Sequence, residues 1–284
     1  MLKPKLTKER AYEDFDNLQH VNMNTIKPSA RTGAEFVDFF TMRERLETRV
    51  KQGLNFYDFW EKKSTHAQKK YVMKFFKYHK DTNSKQTVPA IWYRIFSLYF
   101  GAVSIFKPTI AMEVYHKYRP HTVLDPTMGW GGRLVGACAL NINKYIGIDQ
   151  NKKLEQPYIQ MADYLKKHCD TEIKLLFQDA LTVDYSKYTY DMVLTSPPYY
   201  NIEQYVGQED MNKDKWDNEF YKPLFEKTFK HLQKGGKYCI NIPLDVYERI
   251  ALPTLGKPQH KLPLYKVSRG KGIGKPEFIY VWFK

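Results

Sequence analysis

TVLDPTMGWGGRLVGA, residues 122–137, joins a short apolar strand pattern to a glycine-rich turn and then to a helical pattern. The strand pattern ends at Asp125, and Gly129, Gly131 and Gly132 follow closely. Such a turn lets the backbone approach a ligand, because glycine has no Cβ and tolerates positive φ, and the next helix begins with unpaired N–H groups. A plain strand–helix turn needs only one glycine, so this stretch indicates a ligand-binding loop. The spacing is not GxGxxG, which makes a dinucleotide less favoured.

Strand and helix patterns alternate from about residue 107 onward. Apolar runs predict strands at 121–125, 144–149, 172–177, 190–195 and 237–242 and in the last run, EFIYVWFK. Helical patterns lie between them, at 131–140, 152–167 and 217–233. This alternation predicts a parallel α/β sheet with right-handed crossovers. No helix follows the last run, which fits a final strand added antiparallel at the sheet edge.

The first part of the chain has a different sequence pattern. Residues 1–30 are polar and lysine-rich with little periodicity, which predicts a mobile arm or an extended strap. Helical patterns follow at 34–50, 66–79 and 89–104, without a notable strand pattern. The sequence therefore divides into an arm with a helical region over 1–104 and an α/β domain over 105–284.

The overall charge favours an acidic partner. Lys and Arg number 45 against 31 Asp and Glu, a net charge of +14, which points to nucleic acid before an anionic membrane. The 3 cysteines are far apart and odd in number, so we expect no disulfide framework and a reducing, cytoplasmic location. No apolar run predicts a membrane-spanning helix, and the 8 histidines show no metal-ligand spacing, so no metal is expected.

Three aspartates end successive predicted strands. Asp125 precedes the glycine turn and suits an amine-bearing ligand, such as the ammonium of a methionine moiety. Asp149 can accept hydrogen bonds from both ribose hydroxyls of a nucleoside, and Asp179 can meet an adenine amine. Each aspartate alone could be a solvated loop residue. Their recurrence at the carboxyl ends of neighbouring strands, where α/β sheets bind ligands, favours one shared site.

The motif TSPPYY, residues 195–200, follows the strand pattern YDMVL directly. Its two prolines remove backbone donors and fix the chain, which leaves the preceding carbonyl groups rigidly aimed. Ser196 adds a hydroxyl acceptor and Tyr199 adds a flat aromatic face. Such a group of residues can accept both protons of a neutral –NH₂ group and stack against its ring. Positioning of this kind can lower a barrier by about 7–11 kcal/mol at most.

These two motifs resemble those of the S-adenosylmethionine-dependent amino-methyltransferases of DNA. That family has Asp-Pro-Phe-x-Gly-x-Gly followed by Asp, Asn or Ser, two prolines and an aromatic residue. Residues 125–131, DPTMGWG, and 196–199, SPPY, match both, and the Lys107–Pro108 pair stands where the family has a similar pair. The resemblance covers roughly residues 105–284. It implies a Rossmann-like methyltransferase fold, a seven-stranded mixed sheet with one antiparallel strand.

The resemblance also assigns roles to residues of this chain. S-adenosyl-L-methionine is the implied cofactor, and the target is a flipped-out base. The residues expected to hold the target base are Ser196, Pro197, Pro198 and Tyr199. Those expected to bind the cofactor are Lys107, Pro108, Thr109, Asp125, Pro126, Gly129, Trp130, Gly131, Asp149 and Asp179. The loop reads GWGGR where GSGTT is common, so we expect Trp130 to flank the cofactor and Arg133 to reach the rim of the site.

Several alternatives stay open. Ser at the first motif position favours cytosine N4 over adenine N6, and DNA is favoured over RNA because no RNA-binding module is recognisable. An inactive nucleic-acid-binding subunit is a further alternative, which the intact motifs disfavour. Attack on cytosine C5 is disfavoured because no cysteine follows a proline. The lysine-rich stretch 66–80 and the loop 268–275 are the candidate nucleic-acid contacts.

Overall fold

The computed structural model describes residues 6–26, 30–50, 53–82, 86–101, 103–200, 203–204, 212–264 and 277–284. The helices within these residues are α1 Lys8–Gln19, α2 Ala34–Glu47, α3 Phe56–Glu61, α4 Lys63–Ala67, α5 Lys70–Thr82, α6 Val88–Tyr99, α7 Pro108–Tyr118, α8 Gly132–Ala139, α9 Glu155–Leu165, α10 Lys213–Trp216, α11 Lys222–Lys230, α12 Leu244–Val246 and α13 Leu252–Leu255. Short π-helical turns at Asp217–Tyr221 and Tyr247–Ala251 continue α10 into α11 and α12 into α13. None of these helices is long and apolar enough to cross a membrane.

A seven-stranded sheet forms the centre of the molecule. Its strands are β2 Thr122–Asp125, β3 Lys144–Ile148, β4 Glu172–Leu176, β5 Met192–Thr195, β7 Lys237–Ile242, β8 His260–Leu264 and β9 Glu277–Phe283. They lie in the order β4-β3-β2-β5-β7-β9-β8, and β9 runs in the direction opposite to that of the other six. This arrangement confirms the predicted seven-stranded mixed sheet with one antiparallel strand.

The central strands are buried along their whole length because both faces of the sheet are covered. Every residue of β2 and of β5 is buried, as expected for parallel strands packed between helices. The connections after β2 and β5 both leave the sheet at its carboxyl edge, since these strands are parallel neighbours. The fold therefore brings the glycine loop and the SPPY motif to one edge, although about 70 residues separate them in the sequence.

The position of the last strand differs from the prediction. We expected the final apolar run at the sheet edge, but β9 lies between β7 and β8, and β8 forms the edge. The sequence pattern missed β8 because HKLPL contains a proline and is largely exposed. An edge strand tolerates proline, since one side of it makes no ladder hydrogen bonds.

The expectation of an arm or strap over residues 1–30 is wrong for residues 8–19. Thr7 is the N-cap of helix α1, and its side chain accepts a hydrogen bond from the Arg10 N–H. It buries Ala11, Phe15 and Leu18. Apolar residues are a minority in this helix, so their helical spacing gave only a weak sequence pattern. Tertiary packing stabilises this helix more than its own sequence does.

The other amino-terminal elements follow the prediction with changes in their bounds. The helix expected over 66–79 is divided, because α4 ends at Ala67 and α5 begins at Lys70. The helix expected to reach residue 104 ends at Tyr99, before Gly101, whose φ is +92°. A two-residue strand, β1 Arg49–Val50, which the sequence did not suggest, pairs with β6 Glu203–Gln204.

Candidate active site

A cavity of about 790 Å³ lies at the carboxyl edge of the sheet. It is lined by residues of the glycine loop, of the loops after β3 and β4, and of the SPPY motif. The predicted site residues on its wall are Lys107, Pro126, Gly129, Trp130, Asp149, Asp179, Ser196, Pro197, Pro198 and Tyr199. The structure thus brings ten of the fourteen predicted residues to one cavity, and the remaining four lie behind its wall.

The backbone of the glycine loop depends on conformations that favour glycine. Gly129 and Gly131 have φ of +57° and +94°, in the left-handed region that L side chains rarely adopt. Gly131 then serves as the N-cap of α8. The loop is further fixed by a hydrogen bond from the Gly129 N–H to Asp149 Oδ2, of 2.9 Å. These contacts place the loop backbone along the cavity wall.

The predicted residues Pro108 and Thr109 pack behind the glycine loop, outside the cavity. Thr109 is buried and donates a hydrogen bond to the Ala30 carbonyl. A Cβ on Gly132 would lie 1.7 Å from the Phe106 carbonyl oxygen, so only glycine allows the segment before α7 to contact the start of α8. This close contact is what brings Phe106 and Lys107 to the wall of the cavity.

Asp125 has no exposed surface for direct contact with an ammonium group, which was one of the two contacts, direct or through water, that we expected. Its side chain is fully buried. Its carboxylate accepts hydrogen bonds from Arg133 Nε at 2.6 Å, from Tyr145 Oη at 2.6 Å and from Thr195 Oγ1 at 2.9 Å. Because these donors come from the protein itself, Asp125 fixes the floor of the site through its contacts with β3, β5 and α8.

Arg133 forms part of the cavity wall but is buried with Asp125, whereas we expected it to reach the rim of the site. Its side chain is 3% exposed, and its guanidinium also donates to the Thr127 carbonyl and lies 5.0 Å from the centre of the Phe106 ring. Burial alone would lower the pKa of Arg133, but the Asp125 carboxylate more than offsets this and raises it. The opposite charges of Arg133 and Asp125 therefore neutralise each other beneath the glycine loop. A buried pair of this kind is costly to break from either side.

Asp149 has the features expected of a ligand-binding carboxylate. It is half-buried at the cavity wall, and its oxygens accept hydrogen bonds from the N–H groups of Gly129 and Asn151, each at 2.9 Å. Burial raises the pKa of Asp149 to about 6, and these N–H groups offset only part of that effect. A carboxylate has about four acceptor positions, so two further hydroxyl groups can still donate to it.

Asp179 and Lys107 lie elsewhere on the same wall. Asp179 is exposed, and its Oδ1 accepts a hydrogen bond from the Leu181 N–H, which leaves other acceptor positions toward the cavity. Lys107 is the N-cap of α7. Burial, and next the nearby Arg31, lower the pKa of Lys107.

The SPPY motif forms the opposite wall of the cavity. The Tyr199 hydroxyl donates to Asn241 Oδ1 at 2.8 Å, and the Ser196 hydroxyl lies 3.3 Å from the same oxygen. Tyr221 Oη donates to the Pro198 carbonyl at 2.5 Å. No described residue donates to the carbonyl oxygens of Ser196 and Pro197, so these oxygens are the acceptors that the motif offers.

Asn241 and Tyr221 were missed by the sequence reasoning. Asn241 is buried on β7, and its Nδ2 donates to the Phe278 carbonyl at 3.2 Å, which fixes the direction in which its oxygen points. The polar residue inside the apolar run KYCINI was the signal that could have identified it. Tyr221 ends a π-helical turn, a feature that often occurs at functional sites.

Tyr200 adopts a backbone conformation that is uncommon for a tyrosine. Its φ is +50°. The conformation is held on both sides, because its N–H donates to Tyr221 Oη and its hydroxyl donates to Asp217 Oδ1 at 3.0 Å. Backbone strain of this kind persists only where surrounding contacts impose it. Here it turns the chain sharply after the SPPY motif.

The two candidate nucleic-acid contacts differ in what the structure shows. Residues 268–275 lie outside the described part of the chain. On α5, Lys70, Lys74, Lys77 and Lys80 are all exposed, and the exposed Tyr71 ring lies 5.0 Å from that of Tyr99 on α6. Ser97, also on α6, lines the cavity. The lysine-rich face of α5 therefore lies on the helix pair that reaches the cavity.

Comparison with known proteins reveals similarity to methyltransferases. The chain is 29% identical over 163 residues to the tRNA (guanine(10)-N2)-dimethyltransferase of Pyrococcus abyssi, a match of 53% of this chain and 44% of that protein. It is 34% identical over 73 residues to the type II methyltransferase M.MjaVI of Methanocaldococcus jannaschii, a match of 26% of this chain and 38% of that protein. The chain thus spans less than half the length of either relative. No protein-family model matches it.

Solved structures show a similar architecture. TrmN from Thermus thermophilus aligns with a TM-score of 0.44 at 18% identity, over 62% of this chain and 48% of that one. Similarity at this level identifies no substrate. The methyl donor that the methyltransferase relatives imply is S-adenosyl-L-methionine. The cavity fits it, because a half-buried carboxylate with remaining acceptor positions faces a glycine loop there.

Proposed function

We propose that this protein is an S-adenosyl-L-methionine-dependent methyltransferase that acts on an exocyclic amino group of a nucleic-acid base. The observation that carries the proposal is that one cavity joins the glycine loop and Asp149 to the SPPY motif. A cofactor wall and an amine-binding wall then face the same space. The net charge of +14 supports a polyanionic substrate.

In this proposal the chain holds the cofactor through its loops and carboxylates. Asp149 accepts hydrogen bonds from the ribose hydroxyls, Asp179 meets the adenine, and the glycine loop and Trp130 contact the methionine part. Bound there, S-adenosyl-L-methionine supplies an electrophilic methyl group. The tight packing of Gly132 against the Phe106 carbonyl keeps this wall fixed. No metal ligand set is invoked, and the described residues contain no group of three or more His, Cys, Asp or Glu side chains that could form one.

The SPPY motif holds the target amine. The carbonyl oxygens of Ser196 and Pro197 and the Ser196 hydroxyl accept the amine protons, which directs the nitrogen lone pair toward the methyl donor. Tyr199 stacks on the base, and Asn241 fixes the orientation of its hydroxyl. The amine nitrogen would take the methyl group as the methyl–sulfur bond of the cofactor breaks, and it would then lose a proton to solvent. An amine inside a duplex cannot reach this wall, so the base must be flipped out.

Two polymers remain candidates for the substrate. DNA is our first choice because both motifs match those of the DNA amino-methyltransferases, and Ser196 favours cytosine N4 over adenine N6 within that group. RNA is the second candidate, because the relative that covers more of this chain is named for a tRNA guanine amine. An inactive binding subunit is a third possibility, which predicts cofactor binding without transfer.

The test is methyl transfer from radiolabelled S-adenosyl-L-methionine to unmethylated duplex DNA and to unmethylated RNA, followed by mass analysis of nucleosides. We expect a label on an exocyclic amine and at least a tenfold lower kcat in Ser196→Ala, since one lost hydrogen bond of about 1.4 kcal/mol corresponds to tenfold. Ser186→Ala is the matched control, because Ser186 is exposed and its hydroxyl bonds to Asp184 away from the cavity.

The outcomes separate the alternatives. Label on DNA or on RNA identifies the polymer, and the modified nucleoside identifies the base. Label on a ring carbon or ring nitrogen would contradict the proposed amine chemistry. Stoichiometric cofactor binding with no transfer to either polymer would favour the inactive subunit.

A further inference from the structure

Two threonines join the opposite walls of the cavity. Thr127 belongs to the glycine loop, and Thr195 is the last residue of β5, directly before Ser196. Their hydroxyl oxygens lie 2.6 Å apart. Thr127 lines the cavity, whereas Thr195 is fully buried behind it.

The direction of this hydrogen bond follows from the next contact. Thr195 Oγ1 lies 2.9 Å from Asp125 Oδ1, and a carboxylate can only accept. The single hydroxyl proton of Thr195 therefore goes to Asp125. Thr127 must then be the donor to Thr195. The hydroxyl groups form a directed chain from the glycine loop through β5 to the buried carboxylate.

Thr127 is held from a second side. Its carbonyl oxygen accepts a hydrogen bond from Arg133 Nη2, and Arg133 is paired with the same Asp125. Tyr145 on β3 also donates to this carboxylate. The network thus connects three strands and the start of α8. Its members are buried except Thr127, which is half-buried at the cavity wall. Buried networks of this kind strongly restrict the groups they connect.

We propose that the Thr127–Thr195 pair are positioning residues that set the distance between the cofactor and the target amine. This inference rests on the proposed function. Methyl transfer needs the reacting atoms about 3–3.5 Å apart and aligned, and a misplacement of about 1 Å can cost about 100-fold in rate. One hydroxyl pair spans the two walls that must keep this spacing. Loss of this hydroxyl pair should lower kcat more than it weakens the binding of the cofactor.

Thr195→Val is the decisive variant, because it removes both hydrogen bonds and nearly keeps the side-chain shape. We expect kcat to fall about 10- to 100-fold while the Kd for S-adenosyl-L-methionine changes less than about threefold. Thr195→Ser keeps the hydroxyl and should restore kcat to within about threefold of the original protein. A valine variant with unchanged kcat, or a serine variant as slow as valine, would overturn the proposal.

A second measurement does not depend on turnover. Hydrogen–deuterium exchange of the cofactor-bound protein should be faster in Thr195→Val at both 126–133 and 196–200, and unchanged in Thr195→Ser. If Thr195→Val does not fold, Thr127→Val removes only the outer link and should give the same pattern. Unchanged exchange in both valine variants contradicts the inference, whereas transfer to no nucleic acid by the original protein contradicts the proposed function alone.

Discussion

Asp149 shows how burial shapes a single ligand-binding residue. Burial raises the pKa of this carboxyl to about 6. Hydroxyl donors favour the ionised form of a carboxylate, so a bound ribose would lower that pKa. Affinity for S-adenosyl-L-methionine should therefore be full above pH 6 and weaken as the pH falls through 6, by up to about tenfold per pH unit. Isothermal titration between pH 7.5 and 5 measures this.

Asp149→Asn is the control for that pH dependence. An amide does not titrate, so the variant should bind more weakly at pH 7.5 and show no change down to pH 5. No histidine lies among the described residues of the cavity wall, so imidazole protonation does not account for the effect. The assignment would fail if the asparagine variant kept the same pH slope.

Asp125 shows what sequence could not provide at the scale of a residue. Its position before the glycine loop was predicted, but its partners Tyr145 and Thr195 lie 20 and 70 residues away. Only the folded sheet brings these donors together. Residue type and spacing were therefore enough to locate the site. Whether Asp125 contacts the ligand or supports the site depends on tertiary contacts, which the sequence does not show. Asn241 was missed for the same reason.

At the scale of elements, α5 carries a surface suited to a polyanion. Its lysines are exposed, and its exposed Tyr71 meets Tyr99 of α6, the helix whose Ser97 lines the cavity. We expect Lys74→Ala with Lys77→Ala to weaken nucleic-acid binding and to reduce the slope of log affinity against log salt by about 0.9 per lost phosphate contact on duplex DNA. Fluorescence anisotropy across a salt series measures both.

The matched control removes two lysines near the amino ends of the strands, at the edge of the sheet opposite the cavity. Lys166 and Lys167 are also exposed, but they follow α9, which runs from the carboxyl edge of β3 to the start of β4. Their replacement by alanine should leave the salt slope unchanged. Equal effects of the two pairs would indicate a general charge effect, which would contradict a specific role for α5.

The elements themselves show which patterns were reliable. Strand β7 has the predicted bounds, and β2 to β5 differ by one or two residues. The runs of β2, β3, β5 and β7 are buried on both faces, whereas β4 lies at the sheet edge and is only partly buried. Helix α1 and strand β8 were missed. Each has few apolar residues and is stabilised by packing or pairing with another element, α2 for the former and β9 for the latter. Local periodicity carries little information about such elements.

At the scale of the whole molecule, the amino-terminal helices share a core with the sheet. Phe15 and Phe36 belong to the same buried cluster as Leu134 and Tyr158. The ring of Tyr12 stacks on that of Tyr164 at 3.7 Å. Polar contacts add to this, since Gln19 donates to the His168 carbonyl and Thr41 to the Trp130 carbonyl. The second of these contacts reaches the glycine loop itself.

This shared core predicts that residues 105–284 do not fold well without residues 1–104. Removing the helices would expose the apolar faces of α8 and α9, and an isolated fragment should lose both cooperative thermal unfolding and binding of S-adenosyl-L-methionine. In the full chain, Phe36→Ala should lower the free energy of unfolding by about 3–5 kcal/mol and leave the Kd for the cofactor unchanged at 25 °C. A fragment that unfolds at the same Tm as the full chain and binds the cofactor equally well would show that the helices serve substrate recognition alone. Loss of both properties in the fragment, with intact binding in Phe36→Ala, would instead show that they complete the core on which the cofactor wall rests.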